Sequence, residues 1–292
     1  MTLQARIDEA SARIRDALAQ YPAAAFATSY GLEDMVLLDL LDRMGAQVEA
    51  FTLDTARLHE ETYALMDAAR RRYRLPVRVM FPDAAAIESF VAAHGVNAFY
   101  DGVELRKQCC RIRKLEPLAR ALAGKQLWIT GLRREQSVTR ADVPVLAHDD
   151  ANGLMKLNPL VDWSAADVQA YLDAHDVPVN ALQAKGFPSI GCAPCTRAVQ
   201  PGEDARAGRW WWELPAQREC GLHVTPDGRL VRTRDLPAAD APVGHAAGAN
   251  ASFPAGAAAA GTAASGGPAP AGDPAPGSPD IDATVATAAS AD

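Results

Sequence analysis

Short apolar segments with the pattern of buried strands alternate with segments of helical periodicity along most of this 292-residue chain. The predicted strands are 23–28, 48–53, 77–81 and 126–130. The predicted helices are 1–20, 33–44, 59–74, 84–94, 103–123 and 164–174. Pro117 is expected to break or kink the fifth of them. Alternation at this spacing predicts an α/β fold, with a mainly parallel central sheet flanked by helices on both faces.

The turns that follow the predicted strands occupy the edge of the sheet where such folds bind ligands. They are 29–34, 54–59 and 131–136. The first joins a strand to a helix, where backbone N–H groups suit a phosphate or a purine edge, although this signal alone is weak. Residues 181–234 are rich in Gly, Pro, Cys and Trp with little periodicity, which predicts an irregular, cysteine-bearing segment over the same edge.

The basic residues end at Arg234, so the charge of the chain is unevenly distributed. The whole sequence has 29 basic and 36 acidic residues, a net charge of −7, whereas residues 1–234 carry a net charge of −1. This balance is not that of a basic nucleic-acid binder. A near-neutral body does not repel an anionic ligand, so individual Arg and Lys residues decide what binds.

The N-terminal segment contains early acidic side chains and lacks the apolar region of a secretory signal. The sequence has no run of about 18 apolar residues, which a membrane span would need. Five cysteines are a low and odd count for a secreted disulfide scaffold. These features predict a cytoplasmic protein with reduced thiols, and with neither a nucleic-acid nor a membrane partner.

Residues 235–292 are dominated by Ala, Gly and Pro, and Phe253 is their only aromatic residue. Such a composition cannot bury enough apolar area to offset the entropy of the chain. We therefore predict a folded domain at 1–234 and a disordered tail at 235–292.

Removal of this tail tests the predicted boundary. A chain that ends after Arg234 is expected to keep the melting temperature of the full chain, because the tail contributes nothing to the core. Thermal unfolding of both chains, followed by circular dichroism, measures the difference. A melting temperature lower by more than a few degrees would show that the tail packs on the domain.

Four of the five cysteines form two close pairs, the adjacent Cys109 and Cys110 and the Cys-x-x-Cys pair Cys192 and Cys195. Structural zinc sites usually use two Cys-x-x-Cys knuckles, so an adjacent pair is unusual for zinc. An adjacent pair suits a cubane cluster better, since each cysteine must reach a different iron. A zinc site and two unrelated sets of buried thiols remain alternatives on these residues alone.

Basic residues crowd both pairs and would offset the negative charge of four thiolates. They are Arg106, Lys107, Arg111, Arg113, Lys114 and Arg197. Farther along, Arg206 and Arg209 are three residues apart and can face one anion. Three consecutive tryptophans at 210–212 cannot all enter one core, so either two pack and one is exposed, or one stacks on a ligand.

The fifth cysteine, Cys220, stands apart from both pairs. A nucleophilic cysteine needs thiolate character and access to its target. Arg218 and His223 can supply positive charge near it, whereas Glu219 works against a thiolate. Residue types alone leave open whether Cys220 is a surface thiol or a nucleophile.

Eight stretches between residues 20 and 234 together resemble the sulfonucleotide reductases. They are SYGLED, LDTARLH, CCRIRKLEPL, WITGLRREQSVTR, KLNPLVDWS, GCAPCTR, PGEDARAGRWWWE and ECGLH. Because both cysteine pairs are present, the chain is similar to the assimilatory, thioredoxin-dependent branch that uses adenosine 5′-phosphosulfate (APS). The cluster-free enzymes that use the 3′-phosphorylated substrate (PAPS) lack these pairs.

The resemblance implies a fold like the adenine-nucleotide α-hydrolases. It also implies one 4Fe–4S cluster held by Cys109, Cys110, Cys192 and Cys195, and a nucleophilic Cys220 on a mobile C-terminal segment. The substrate residues that it implies are Lys114, Arg206, Arg209 and His223 at the phosphosulfate, Leu53 and Gly131 at the adenosine, and Ser29 at the base. The SYGLED turn departs from the more usual serine-rich form of this loop.

The implied function is reduction of APS to sulfite and AMP in sulfate assimilation. A thiolate attacking the sulfur must approach an anion, so cations are needed to neutralise the phosphosulfate and to stabilise AMP as it leaves. Cys220 would then carry an S-sulfonate. Since both cysteine pairs are implied ligands, the reductant is expected to be an external dithiol such as thioredoxin. Whether the chain forms a homo-oligomer is left open.

Three alternatives share some of these features. A PAPS reductase uses the same chemistry, and Arg133, Arg134 and Arg140 are the remaining basic residues near Gly131 that could reach a ribose 3′-phosphate. An ATP pyrophosphatase is disfavoured, because its Ser-Gly-Gly-x-Asp-Ser type loop is replaced here by SYGLED. A zinc-stabilised interaction domain would be colourless and would have no role for Cys220.

Overall fold

The structure is a computed structural model that describes residues 1–136 and 142–214 and, for the backbone alone, 222–224 and 230–232. Its helices are α1 (Leu3–Gln20), α2 (Leu32–Met44), α3 (Glu60–Arg72), α4 (Ala84–His94), α5 (Val103–Cys110), α6 (Glu116–Leu122) and α7 (Ala165–Ala174). Its strands are β1 (Ala24–Ala27), β2 (Glu49–Leu53), β3 (Val77–Met80), β4 (Leu127–Ile129), β5 (Leu146–Asp149), β6 (Leu154–Leu157), β7 (Leu222–Val224) and β8 (Leu230–Arg232).

Strands β1 to β6 form one sheet in the order β3-β2-β1-β4-β6-β5. Strands β3, β2, β1, β4 and β6 are parallel to one another, and β5 runs antiparallel at the edge. Strands β7 and β8 pair separately as an antiparallel hairpin. The predicted α/β fold with a mainly parallel sheet is confirmed.

Alternate side chains of the strands enter two different cores, because successive residues of a strand point to opposite faces. Phe26 and Ile129 pack with residues of α1, α2 and α7. Their neighbours Ala25 and Trp128 pack with residues of α6. Helices therefore cover both faces of the sheet, and ligands are left with the edge at the carboxyl ends of the strands.

The predicted helix at 103–123 is interrupted directly after the adjacent cysteines. Helix α5 ends at Cys110, a π-helical turn covers Arg111–Leu115, and α6 begins at Glu116 with Pro117 in its first turn. Glu116 N donates to Arg111 O, so the chain stays helical through the π-helical turn into α6. The helix is therefore not broken at Pro117 itself, and its irregularity lies upstream of the proline, in the π-helical turn Arg111–Leu115.

The β5–β6 hairpin was not predicted from the sequence. Strand β6 has four residues, and one of them, Lys156, is buried with Nζ 4.3 Å from the ring centroid of Trp128. Asp149 of β5 lies 3.9 Å from the same Nζ and offsets its charge. A charged residue in so short a strand removes the apolar pattern by which buried strands are recognised.

The described residues belong to one compact unit. None of its described helices is both long and apolar enough to cross a membrane. The tail predicted at 235–292 lies outside the described residues.

Candidate active site

A cavity of about 430 Å³, here called the main cavity, opens at the carboxyl ends of β1, β2 and β4. Each of the three turns expected at this edge contributes to its lining. The contributed residues include Ser29, Asp34, Thr55, Leu58, Gly131 and Gln136. The turns meet because β1 lies between β2 and β4 in the sheet. A cavity of this volume suits a small molecule such as a nucleotide.

Ser29 and Asp34 close the turn that follows β1. The backbone N–H and the hydroxyl of Ser29 donate hydrogen bonds to Asp34 Oδ2 at 2.6 and 2.7 Å. Burial raises the pKa of Asp34 to about 6, although the hydrogen bonds from Ser29 lower it. Tyr30 has a φ of 59° and its side chain is buried in the core. Ser29 therefore faces the cavity and Tyr30 does not.

Gly131, in the turn after β4, lies directly against Asp34. A Cβ atom at Gly131 would lie 2.6 Å from Asp34 Oδ1 and 3.0 Å from Glu33 Cβ, so only glycine allows this approach. Leu53, the last residue of β2, lines the same cavity. The structure thus brings together Ser29, Leu53 and Gly131, the residues expected around the adenosine.

The four paired cysteines are buried in one hydrophobic cluster and line a second, small cavity, here called the cysteine cavity. Cys109 and Cys110 are the last two residues of α5. Cys192 and Cys195 form a turn in which Cys195 N donates to Cys192 O at 2.9 Å. All four are free cysteines. Two distant segments of the chain therefore converge as the resemblance implies.

The two cavities share a wall, because Lys114 and Cys192 line both of them. Thr55 reinforces this wall from the turn after β2. Its hydroxyl lies 3.2 Å from Cys192 Sγ, and its carbonyl accepts a hydrogen bond from Arg113 Nη1 at 2.7 Å. The cysteine cavity and the main cavity are consequently adjoining parts of one site.

Burial raises the pKa of the Cys109 thiol, and it raises the pKa of Cys195 to about 12. Arg113 opposes the shift at Cys109, and Lys114 opposes the shift at Cys195. A metal group bound here would have to displace the thiol protons. In residues 1–136 and 142–214, no group of three or more His, Cys, Asp or Glu side chains is placed to hold a single metal ion.

Arg209 places a guanidinium group at the main cavity, although its side chain is largely buried. Nη1 donates to Ile190 O at 3.2 Å, and the group lies flat against Gly191, where a Cβ atom would be 2.3 Å from Nη2. Its Nε is buried without a hydrogen-bond partner in the described part of the chain. Arg206 is half-buried on the same segment and is not among the described residues that line the cavity.

Residues 23–198 match the family model of the phosphoadenosine phosphosulfate reductase domain. The chain belongs to this family. The reductase chain is 51% identical over 223 residues to the adenosine 5′-phosphosulfate reductase of Burkholderia cepacia, covering 76% of this chain and 89% of the relative. It is 54% identical over 198 residues to the enzyme of the same name from Allochromatium vinosum, covering 68% and 77%.

A solved structure supports the fold of this reductase. The crystal structure of phosphoadenylyl-sulfate reductase from Candida auris, in a phosphate complex, superposes with a TM-score of 0.57 at 27% identity. The match covers 65% of this chain and 90% of that one. The family expected from the eight sequence stretches is confirmed.

The three tryptophans of the reductase have distinct environments. Trp210 is buried and lines the cysteine cavity, and Trp212 packs on Tyr100 with ring centroids 4.5 Å apart. Trp211 is 37% exposed. Two tryptophans pack and one is exposed, which is the first of the two arrangements considered above.

Three of the expected site residues are not seen in full. Cys220 lies outside the described residues, as does Arg140, and only the backbone of His223 is described, within β7. Their roles in the reductase therefore stay predictions.

Sequence reasoning did not assign Asp34, Thr55 or Trp128 to the site, although all three line the main cavity. Asp34 and Thr55 stand in the turns after β1 and β2, and that position was a usable signal. Trp128 lies within β4, and nothing in its neighbourhood along the chain distinguishes it from a core residue.

Proposed function

We propose that this chain reduces APS to sulfite and AMP, as in assimilatory sulfate reduction. The observation that carries the proposal is the shared wall: a nucleotide-sized cavity adjoins four buried cysteines through Lys114 and Cys192. The proposal is supported by the similarity to chains named adenosine 5′-phosphosulfate reductase, which are 51% and 54% identical to this chain over most of its length.

The first step is attack of the Cys220 thiolate on the sulfur of APS. The bond between that sulfur and the bridging oxygen breaks, AMP leaves with the electron pair, and Cys220 becomes an S-sulfonate. A thiolate of an external dithiol such as thioredoxin then attacks Cys220 Sγ, and sulfite leaves with the S–S electron pair. The second thiol resolves the mixed disulfide. Sulfate sulfur is thereby reduced to sulfite, and the dithiol is oxidised to a disulfide.

The cations of the site favour the first step. Lys114 and Arg209 line the main cavity, and Arg206 and His223 are proposed to join them at the phosphosulfate. They neutralise the anion that the thiolate approaches and stabilise the phosphate charge that develops on AMP. The turns that contain Ser29 and Gly131, together with Leu53 at the end of β2, hold the adenosine.

The donor set of the cysteine cavity fits one 4Fe–4S cluster. Four free thiols line it, and Trp210 Nε1, a buried donor there, has no hydrogen-bond partner among the described residues, so it suits a sulfide acceptor. Each cysteine binds a different iron of a cubane, so the sulfurs need not surround one point. When bound, the cluster would supply structural support to the wall that contains Lys114, and the basic residues around it would offset its negative charge.

Of the three arginines near Gly131, the two that the structure describes favour APS over PAPS. Arg133 Nε donates to Glu33 Oε1 at 2.8 Å and its Nη1 to Glu135 Oε2 at 3.0 Å. Arg134 donates to Val143 O at 3.0 Å and is paired with Asp162. Because both already have acidic partners, neither offers an uncommitted cation to a 3′-phosphate.

We expect sulfite release from APS to be about 10²-fold faster than from PAPS, because a 3′-phosphate without a cationic partner costs about 3 kcal/mol. The test is an assay with both nucleotides at equal subsaturating concentration and reduced thioredoxin in excess. Equal rates, or faster release from PAPS, would overturn the substrate assignment while leaving the cysteine chemistry intact.

A further inference from the structure

The ring of Trp210 contacts two guanidinium groups, one from each cavity. Arg106 Cζ and Arg209 Cζ each lie 4.8 Å from its centroid, within the range of cation–π contacts. Arg106 lines the cysteine cavity and Arg209 lines the main cavity. Trp210 is 1% exposed. Trp210 therefore connects the two cavities through its side chain.

The charges of the two arginines are balanced differently. Arg106 is fully buried and forms a bidentate pair with Glu213, with Nε–Oε1 at 2.8 Å and Nη2–Oε2 at 2.6 Å. Within the described residues, Arg209 donates only to uncharged oxygens, Ile190 O at 3.2 Å and Ser189 Oγ at 3.4 Å. A buried cation without an acidic partner is costly, so the counter-charge of Arg209 is expected to come from an anionic ligand.

The orientation of Arg209 depends on the surfaces against which it lies. One is the backbone of Gly191, and the other is the ring of Trp210. Trp210 has a φ of 44°, an uncommon conformation for a bulky residue. Its N–H donates to Cys195 O at 3.1 Å, and Glu213 N donates to Trp210 O at 2.9 Å. Backbone and side-chain contacts together hold the ring under Arg209.

We propose that Trp210 is a positioning residue for the substrate. Held by the Arg106–Glu213 pair, its ring orients Arg209 toward the anionic group beyond the first phosphate of the bound nucleotide. The proposal rests on the proposed function, since it assigns the main cavity to a nucleotide of that kind. Adenosine, which has no phosphate, is recognised by the turns after β1, β2 and β4 and does not depend on Trp210.

The test compares the binding of ADP and of adenosine by calorimetry, with the purified holoprotein and three variants. Trp210→Leu is expected to weaken ADP binding about tenfold and to change adenosine binding less than about twofold, because a cation–π contact of one buried ring is lost. Trp210→Phe, which keeps a ring under both guanidinium groups, is expected to restore most of the ADP affinity. Trp211→Leu, at the exposed neighbour, is the matched control and should bind both as wild type does.

Equal ADP affinity of Trp210→Leu and wild type overturns the proposal, and so does an equal loss for ADP and adenosine. Iron content and melting temperature are measured for every variant. If Trp210→Leu does not fold, Glu213→Gln provides the test, because it removes the acidic partner of Arg106. This variant should weaken the binding of ADP but not of adenosine. Unchanged ADP binding in Glu213→Gln would also overturn the proposal. Nucleotide binding can be measured without turnover. If the variants change ADP binding as expected but the wild type releases no sulfite from APS, the proposed function alone is refuted.

Discussion

Cys220→Ser is expected to lower sulfite release from APS by at least about 10⁴-fold, the scale seen when a covalent nucleophile is removed. A serine hydroxyl is not ionised at neutral pH and cannot replace a thiolate in attack on sulfur. The measurement is sulfite production with excess reduced thioredoxin. Iron content and APS binding should stay at wild-type levels, because other residues form the described lining of both cavities.

The same variant can also contradict the assignment. Loss of iron from Cys220→Ser would make Cys220 a cluster ligand instead of the nucleophile. Retained sulfite release would show that another group attacks the sulfur. Cys220→Ala, which has no hydroxyl, controls for any chemistry of the introduced serine.

Cys192→Ser is expected to lose the cluster and the activity together. The wild type should be brown, with about four irons per chain, because four thiolates converge on the cysteine cavity. Cys192 also contacts Thr55 and lines both cavities, so its loss removes a ligand and the shared wall at once. Iron analysis and the visible spectrum of anaerobically purified protein measure the effect.

Cys220→Ser serves as the matched control, because it is the same chemical change at a cysteine outside the two pairs. A wild type with stoichiometric zinc and no visible absorption would contradict the cluster. Full iron in Cys192→Ser would show that the Cys-x-x-Cys pair is not part of it.

Strand–helix alternation was sufficient to predict the fold because β1, β2 and β4 are mostly apolar and largely buried. The edge strand β3 is more exposed, but three of its four residues are apolar. An irregularity near Pro117 could also be anticipated, because the effect of proline on a helix is local, although the structure places it at Arg111–Leu115. The β5–β6 hairpin was missed because Lys156 is buried there through contacts with Trp128 and Asp149. Those partners are set by the tertiary fold and leave no mark in the local pattern.

The sequence likewise predicted some residues of the candidate site but not the long-range contacts between them. The motif positions of Ser29, Leu53, Gly131, Lys114 and Arg209 all line the main cavity. The contacts of Arg133 with Glu33 and of Trp210 with Arg106 span about 100 residues of sequence each, so spacing could not reveal them. Spacing along the chain also did not predict the position of Arg206. Although Arg206 is three residues from Arg209, it is not among the described residues that line the main cavity.

Mass spectrometry of the protein after incubation with APS, without any reductant, tests the central claim most directly. The account predicts a sulfonate on Cys220 and on no other cysteine, with one AMP released per modified chain. Addition of reduced thioredoxin should then remove the sulfonate and yield an equal amount of sulfite. A sulfonate on one of the paired cysteines, or AMP release without a protein adduct, would contradict the account.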